Sequence, residues 1–371
     1  MKGRLIGSLL AGVATFASVI TPAQAQLSEV LPIHEPLPEA LNEKDSERVK
    51  VAVDRGLQWL AMQVDDQGAF VSAGGRTNGQ PALTALSVIA FLSRGHRPGL
   101  GPYGEAMNRA IDFTISCQKP SGMICYGTYD ADSASNPSDA YNHAIAMLML
   151  GEVYGMVGGE RAIKVRQTIE HGLEFTHSIW VTPKNPQEMG GWRYIHSRFQ
   201  SDLSVTGWYV ASLRSLKNAG FDVPKEVMDR IVQYIVYCYS EQMRAFSYRG
   251  AMQPRFTAAM TGAGILSLAL AGQPTHPCAV AAGETLSQQT FNRQLPRCYY
   301  ACYYSTQAAA QLAGRSWIAI YRNVAGFLLP TQMPSGQWPL VDQPEYGPVY
   351  STSLAILSLT PHFQLLPIYQ H

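Results

Sequence analysis

Charge is scarce in this chain. Asp, Glu, Lys and Arg make up 15% of the residues, against 46% hydrophobic. That balance excludes a disordered chain, which cannot bury enough apolar surface to offset the entropy of ordering. An excess of one sign is missing too. The net charge is +1, and it becomes −1 once Lys2 and Arg4 leave with the N-terminal segment. With no basic stripe to neutralise phosphates, nucleic acid is not an expected partner. Cysteine is thin: six in 371 residues is not a disulfide scaffold. Cys117 and Cys125 are spaced to close a short loop, and Cys298 and Cys302 can share a helix face. The sequence does not choose among the pairings. His276, Cys278, Cys298 and Cys302 can be drawn as a zinc set. Buried thiols or a disulfide suit them better, and no metal or cofactor is expected. No Gly-x-Ser-x-Gly elbow and no Cys-Gly-Glu-Gln run occurs, so the usual nucleophile and thioester signatures are missing. No stretch alternates as a strand would.

One apolar run does stand at the start. Lys2 and Arg4 precede an apolar stretch from Leu5 to Ile20, followed by Ala23-Gln-Ala25. This is the order of a secretory signal with a small-x-small cleavage site. At about sixteen residues the run falls short of the roughly twenty needed to span a bilayer. Cleavage after Ala25 and a secreted or periplasmic location are the expectation. No later stretch spans a membrane uninterrupted. Residues 26–45 hold a Pro-rich arm (LPIHEPLPEAL). The folded domain is expected to run from 46 to 371.

Within that domain twelve helical segments fall into six pairs. The first members run near 46–63, 104–118, 160–178, 225–239, 279–291 and 315–331. They are amphipathic: Val49, Val53, Gly56, Leu57 and Leu60 share one face, while Glu47, Lys50 and Asp54 lie elsewhere. The second members run near 81–94, 138–155, 201–219, 256–271, 301–313 and 349–360. Segments such as PALTALSVIAFL are apolar or small on every face and must be buried all round. Alternation of the two types gives two concentric layers, charged-face helices outside and apolar helices inside. Closing six pairs on themselves gives an all-α (α/α)6 toroid without capping repeats, which an open solenoid requires. The inner helices align on a column: Thr84, His143, Thr206, Thr261, Thr306 and Thr352. Each Thr hydroxyl is expected to bond back to its own preceding turn, with His143 as the exception.

A short motif recurs at the ends of the outer helices, on the order of every fifty residues. Gln332, Gly336 and Trp338 form its fullest version. Gln187, Gly190 and Trp192 repeat the order, Gln63, Gly68 and Phe70 change the ring, and Gln118, Gly122 and Ile124 lose it. Gly suits the positive φ that ends a helix, and the ring is expected to fold back over the Gln amide.

These residues resemble the Gln-Trp repeats of the terpenoid cyclase and protein prenyltransferase superfamily, over most of the chain from about residue 46. Gly190 to Tyr194 (GGWRY), followed by Asp202 to Trp208 (DLSVTGW), is most similar to the squalene-hopene cyclase type of repeat. The resemblance implies an (α/α)6 barrel with a central cavity for isoprenoid chains. Cyclases of this kind protonate an alkene with an Asp-x-Asp-Asp-Thr segment. Here the matching register reads Asp202, Leu203, Ser204, Val205, Thr206. Ser204 stands where the protonating acid would be, and a hydroxyl is far too weak an acid. Asp130 and Asp132 keep half the spacing but precede their helix, and Asp65-Asp66 sits in a turn. Prenyltransferases hold zinc with Asp, Cys and His. Asp139 and His143, one turn apart, are the nearest set, and a hydrogen-bonded pair at a helix start explains them as well.

The expected function follows from a kept scaffold and lost acids: an exported toroid that binds an apolar or isoprenoid-like ligand, or a protein partner, without the usual cyclase reaction. An alternative is an enzyme with rearranged chemistry. Asp202 would act as acid or base, since burial raises a carboxyl toward neutrality, with Asp139 and His143 assisting. A carbohydrate-active toroid is a third reading, in which Asp139 and Asp202 would supply paired carboxylates. Tyr141, Trp208, Tyr303, Tyr304 and Tyr350, near the inner-helix starts, are the expected cavity lining. Their rings can stabilise a cation or grip a sugar or lipid tail.

Overall fold

The structure is a computed structural model that describes residues 36–71, 80–127, 138–194, 199–250, 254–341 and 346–369. The signal segment, the first part of the arm and the Asp130/Asp132 pair lie outside the described residues. Glu35–Gln370 form one compact unit.

Outer helices are α1 (Glu43–Ala61), α3 (Gly104–Ser116), α5 (Gly159–Trp180), α7 (Lys225–Tyr237), α9 (Pro277–Leu286) and α11 (Gly314–Thr331). Between them in sequence come the inner helices α2 (Gln80–Leu92), α4 (Asp139–Val153), α6 (Leu203–Asn218), α8 (Ala258–Leu270), α10 (Cys298–Leu312) and α12 (Gly347–Leu359). All twelve fall where the hydrophobic pattern puts them. The largest boundary differences flank residues 287–297: α9 stops at Leu286, and α10 begins at Cys298, three residues earlier than the pattern suggests. There Arg297 takes a left-handed φ of 54° and turns the chain into the helix. Among the described residues the only strands are a two-residue antiparallel pair, Tyr239–Ser240 with Ala245–Phe246, too short for alternation to reveal.

Burial separates the two layers. Every residue of α2 and α8 is buried. In α1 burial is confined to one face, which includes Val49, Val53, Gly56, Leu57 and Leu60. The inner helices pack in the cyclic order α2, α4, α6, α8, α10, α12 and back to α2, so the ring closes. Ser87 and Ser353 mark that closure, their hydroxyls 3.2 Å apart. Outside, α1 packs on α11 and α12. The end of the Pro-rich arm is tied to the same place. The Trp317 indole N–H donates to the Pro38 carbonyl at 2.8 Å, and the Arg322 guanidinium donates to the Ala40 carbonyl.

The recurring Gln-Gly turn ties four of the six pairs to the outer helix of the next. Gly336 has φ +99°, and a Cβ there would lie 2.5 Å from the Arg55 carbonyl oxygen on α1. The equivalent glycines 68, 122 and 190 press against the carbonyls of Arg109, His171 and Arg230 in the same way. Only a residue without a Cβ lets the turn approach the neighbouring outer helix so closely. The Gln332 amide donates to the Gly336 carbonyl at 2.7 Å and to the Ala52 carbonyl on α1 at 2.8 Å. Gln118 bridges Gly122 and Thr168 on α5 in the same manner. The rings turn back onto their own outer helices: Trp338 Nε1 donates to the Leu328 carbonyl at 2.9 Å and Trp192 Nε1 to that of Thr176 at 3.3 Å.

The Thr column has a second use beyond the expected back-bonding. Thr306 does bond back, donating to the carbonyls of Cys302 and Tyr303. Thr84, Thr206 and Thr352 instead accept the backbone N–H of the motif's aromatic residue, from Phe70 at 3.0 Å, Trp192 at 2.9 Å and Trp338 at 3.0 Å. His143 does the same in its own repeat, taking the Ile124 N–H on Nδ1 at 3.1 Å. A buried backbone donor needs an acceptor, and the inner helix supplies one at the same level each time.

Candidate ligand-binding cavity

A cavity of about 630 Å³ opens at the N-terminal ends of the inner helices. That volume lies in the range of about 300–1,000 Å³ typical of small-molecule sites. Each inner helix lines it with residues from its first two turns. Six helix N-termini, each carrying a partial positive charge, therefore converge on one space.

The lining changes character with depth. Leu86 and Ile145 stand in the second turns of α2 and α4, about 9 Å along the axis from the helix starts at roughly 1.5 Å per residue. Trp208 lies at a similar depth on α6. Aromatic side chains come next: Tyr141, Tyr300 and Tyr350 project from the first turns of α4, α10 and α12. Level with the helix starts are three arginines. Arg193 precedes α6, Arg255 precedes the α8 cap Thr257, and Arg297 is the N-cap of α10. No Asp or Glu belongs to the described lining.

A hydrogen-bonded cluster organises the wall. Trp208 Nε1 donates to Tyr300 Oη at 3.1 Å, Tyr300 Oη donates to the Ser204 carbonyl at 3.4 Å, and the hydroxyls of Tyr141 and Ser204 bond to each other. Burial pushes the Tyr141 hydroxyl well above its ordinary pKa, and nearby Asp202 adds to the effect. Tyr141 is therefore a neutral hydroxyl at any physiological pH. Ser204, in the register of a protonating acid, is one link in this cluster.

Three of the five expected aromatic residues, Tyr141, Trp208 and Tyr350, line the cavity. Tyr303 and Tyr304 do not, and the expectation for them is corrected. They follow Tyr300 on α10 but turn into the core behind Trp208. Tyr303 stacks on Trp208 with ring centres 5.2 Å apart, and its hydroxyl meets that of Tyr369 at 2.7 Å. A run of four tyrosines around a helix cannot put all its rings on one side.

The three proposed catalytic residues lie behind the lining. Asp202 is fully buried and caps α6, accepting the Val205 N–H at 2.9 Å. Its other oxygen is 3.5 Å from Arg193 Nη1. Burial pushes its pKa up to about 6, against the opposing pull of the Val205 N–H, Arg193 and Tyr248. Arg193 and Tyr248 line the cavity; Asp202 braces Arg193 from behind. His143 uses both ring nitrogens in the framework, Nδ1 on the Ile124 N–H and Nε2 at 2.9 Å from the Thr176 hydroxyl. Asp139 is buried at the start of α4, its pKa pushed up to about 6 by burial against the pull of Asn142 and Lys119. Its neighbours Ser138, Tyr141 and Asn142 reach the cavity, and Asn142 accepts the Ala82 N–H at 3.1 Å. The six cysteines are buried. Burial pushes Cys117 up to about 11 and Cys125 and Cys238 up to about 12. Among the described residues no cluster of three or more His, Cys, Asp or Glu could hold a metal ion.

Sequence reasoning missed the arginines. A signal was available, because each precedes an apolar inner helix. The loop that carries Tyr248 is fixed by a buried ion pair, Arg249 to Glu188 at 2.7 Å. A cation near that loop is therefore not enough to line the cavity.

No protein-family model and no curated protein sequence matches this chain. Solved structures do. A variant of the type II terpene cyclase MstE from Scytonema, in complex with merosterolic acid A, is similar with a TM-score of 0.55 at 16% identity, covering 88% of this chain and 100% of that one. Another MstE variant, in complex with geranylgeranyl dihydroxybenzoate, gives 0.52 at 17% identity over 88% and 100%. A polysaccharide lyase gives 0.55 at 9% over 86% and 98%, and an α-amylase from Clostridium perfringens gives 0.54 at 8% over 84% and 97%. At these identities the likeness establishes the fold alone: an α/α toroid, shared by the terpene cyclase, the lyase and the amylase.

Proposed function

We propose that this protein binds an apolar, isoprenoid-like ligand in the central cavity and does not carry out the usual cyclase reaction. The observation that carries the reading is the cavity itself: a space of about 630 Å³ with aliphatic and indole side chains in its deeper part, inside a closed helical ring. The likeness to a terpene cyclase whose complexes hold merosterolic acid A and geranylgeranyl dihydroxybenzoate supports an isoprenoid as ligand class. The loss of chemistry is supported by Ser204, a hydroxyl bonded to Tyr141, in the register of the acid. Asp202 stands behind Arg193 rather than in the lining. A hydrolytic carbohydrate reading would need two carboxylates flanking the ligand, and the described lining offers none. Export, with cleavage after Ala25, is part of the proposal and rests on the sequence of the first 25 residues. Among the described residues no helix is long and apolar enough to cross a membrane.

Calorimetric titration with geranylgeraniol, together with product analysis after incubation with squalene and geranylgeraniol, tests the reading. Saturable binding with unaltered ligand is expected. A cyclic product would overturn the absence of cyclase chemistry, and no binding of either compound would overturn the ligand class.

A further inference from the structure

We infer that the mouth of the cavity is a sugar subsite, and that the ligand is a glycolipid: an apolar, isoprenoid-like chain carrying a hexose-like head. The inference rests on the proposed binding of an apolar ligand and names the head that its tail carries.

Six of the chain's 19 tyrosines line this one cavity, and they reach it from separate elements. Tyr141, Tyr300 and Tyr350 stand in the first turns of α4, α10 and α12. Tyr346 is the N-cap of α12, with its ring centre 5.3 Å from that of Tyr350. Tyr194 and Tyr248 belong to the loops before α6 and α8. The Tyr248 carbonyl accepts the Leu203 N–H at 3.0 Å, which seats this residue beside the start of α6. Arg193 pins the pair. Its Cζ lies 4.5 Å from the Tyr194 ring centre and 6.0 Å from that of Tyr248, within cation–π reach of both. Its Nη2 donates to the Tyr194 hydroxyl at 2.9 Å, and its charge is answered by Asp202 at 3.5 Å. What this side of the mouth offers a ligand is therefore ring and hydroxyl rather than charge. Apart from the buried Tyr300, the six tyrosines are half-buried, at the boundary between a wet mouth and an apolar interior where amphipathic rings are most useful. Burial raises the hydroxyls of Tyr141, Tyr248 and Tyr300 above their ordinary range, so they stay neutral groups that both donate and accept. A pyranose has the same two-sided character. Its C–H faces pack on aromatic rings, and hydroxyls ring its edge. Asn142, Ser204 and Thr257 add polar groups close to the helix starts. A simple alcohol leaves most of these groups to water, whereas a sugar engages them from several sides. Leu86 and Ile145, deeper on α2 and α4, receive the tail. Cleaving a glycosidic bond takes a pair of carboxylates, and the described lining holds none, so the sugar is held intact.

The test compares three ligands that share one tail: geranylgeraniol, its β-D-glucoside and geranylgeranyl hydroquinone. Each is titrated calorimetrically against the wild-type chain and the Tyr346→Ala, Tyr350→Ala and Tyr350→Phe variants. The glucoside is expected to bind at least about tenfold more tightly than the alcohol, since several hydrogen bonds and a packed ring face act together. It should also bind more tightly than the hydroquinone. Tyr346→Ala and Tyr350→Ala should each narrow the glucoside-to-alcohol ratio severalfold, and Tyr350→Phe should narrow it less because the ring remains. Tyr346 is half-buried at a helix start, so its variant reports on the head even if Tyr350→Ala disturbs folding. A glucoside with no advantage over the alcohol, or a ratio that the Tyr346 and Tyr350 variants leave unchanged, would sink the sugar subsite while the apolar site stands. A preference for the hydroquinone would overturn it too, since the collar would then read a flat ring. If none of the three binds, the functional reading itself fails and the subsite falls with it.

Discussion

Replacing Thr352 by Val removes one hydroxyl oxygen and keeps the shape of the side chain. That oxygen is the acceptor for the Trp338 N–H at 3.0 Å, in a region where Thr352 and Trp338 are both fully buried. A buried donor left unsatisfied costs about 1–3 kcal/mol, so Thr352→Val should lose stability in that range. Thr306 supplies an internal control at the equivalent position of α10. Its hydroxyl donates to carbonyls of its own helix at residues 302 and 303, and those carbonyls belong to the helix ladder anyway. Thr306→Val should cost less than about 1 kcal/mol, the net worth of a typical hydrogen bond. Denaturant unfolding of wild type and both variants, followed by circular dichroism, gives the two differences. If Thr306→Val is as destabilising as Thr352→Val, the column does not work by capturing loop N–H groups, and the account of how inner and outer layers are joined is refuted.

Gly336→Ala places a Cβ 2.5 Å from the Arg55 carbonyl at a φ of +99°, whereas Gly101→Ala meets nothing within 4 Å at φ +68°. Both pay for the backbone angle, roughly 1 kcal/mol. Gly336→Ala should lower the unfolding midpoint clearly further, and equal midpoints would contradict the close approach of the last turn to α1. Glu152 is buried, takes bonds from the Ser215 hydroxyl at 2.6 Å and the Ile368 N–H at 3.3 Å, and has its pKa pushed up by burial from 4.5 to about 7. A raised carboxyl pKa means the folded state holds the proton more tightly. Its contribution is therefore fully present below pH 4.5 and lost as pH rises through 7, amounting to about 3 kcal/mol. Glu152→Gln should flatten the fall in stability across that window, and an unchanged pH profile of the unfolding midpoint would show that Glu152 is not its source.

The helices were legible because each layer carries its own pattern: one-sided in α1, all-round in α2 and α8. Ring closure was legible for the same reason, since the terminal inner helices α2 and α12 show no polar outer face. The motif glycines were legible as turn residues, but their second role was not. A single sequence does not reveal that the carbonyl of Arg55, some 280 positions away, lies where a Cβ would be. The site was harder to read. Tyr141 and Trp208 could be placed by their position near helix starts, whereas Tyr303 and Tyr304 required the rotation of α10 to be known. Asp202 drew attention as a lone acid in a familiar register, but one oxygen caps α6 and the other faces a guanidinium. The arginines were passed over because a sparse charge balance says nothing about where the few charges gather.

The most direct measurement is mass spectrometry of the small molecules that co-purify with the full-length protein, compared with an Ile145→Trp variant that fills the deep end of the cavity. The account predicts an apolar, isoprenoid-like lipid, released from wild type in near-stoichiometric amount and missing from the folded variant. A bare wild-type cavity that also ignores added geranylgeraniol, or a lipid retained equally by the variant, would contradict it.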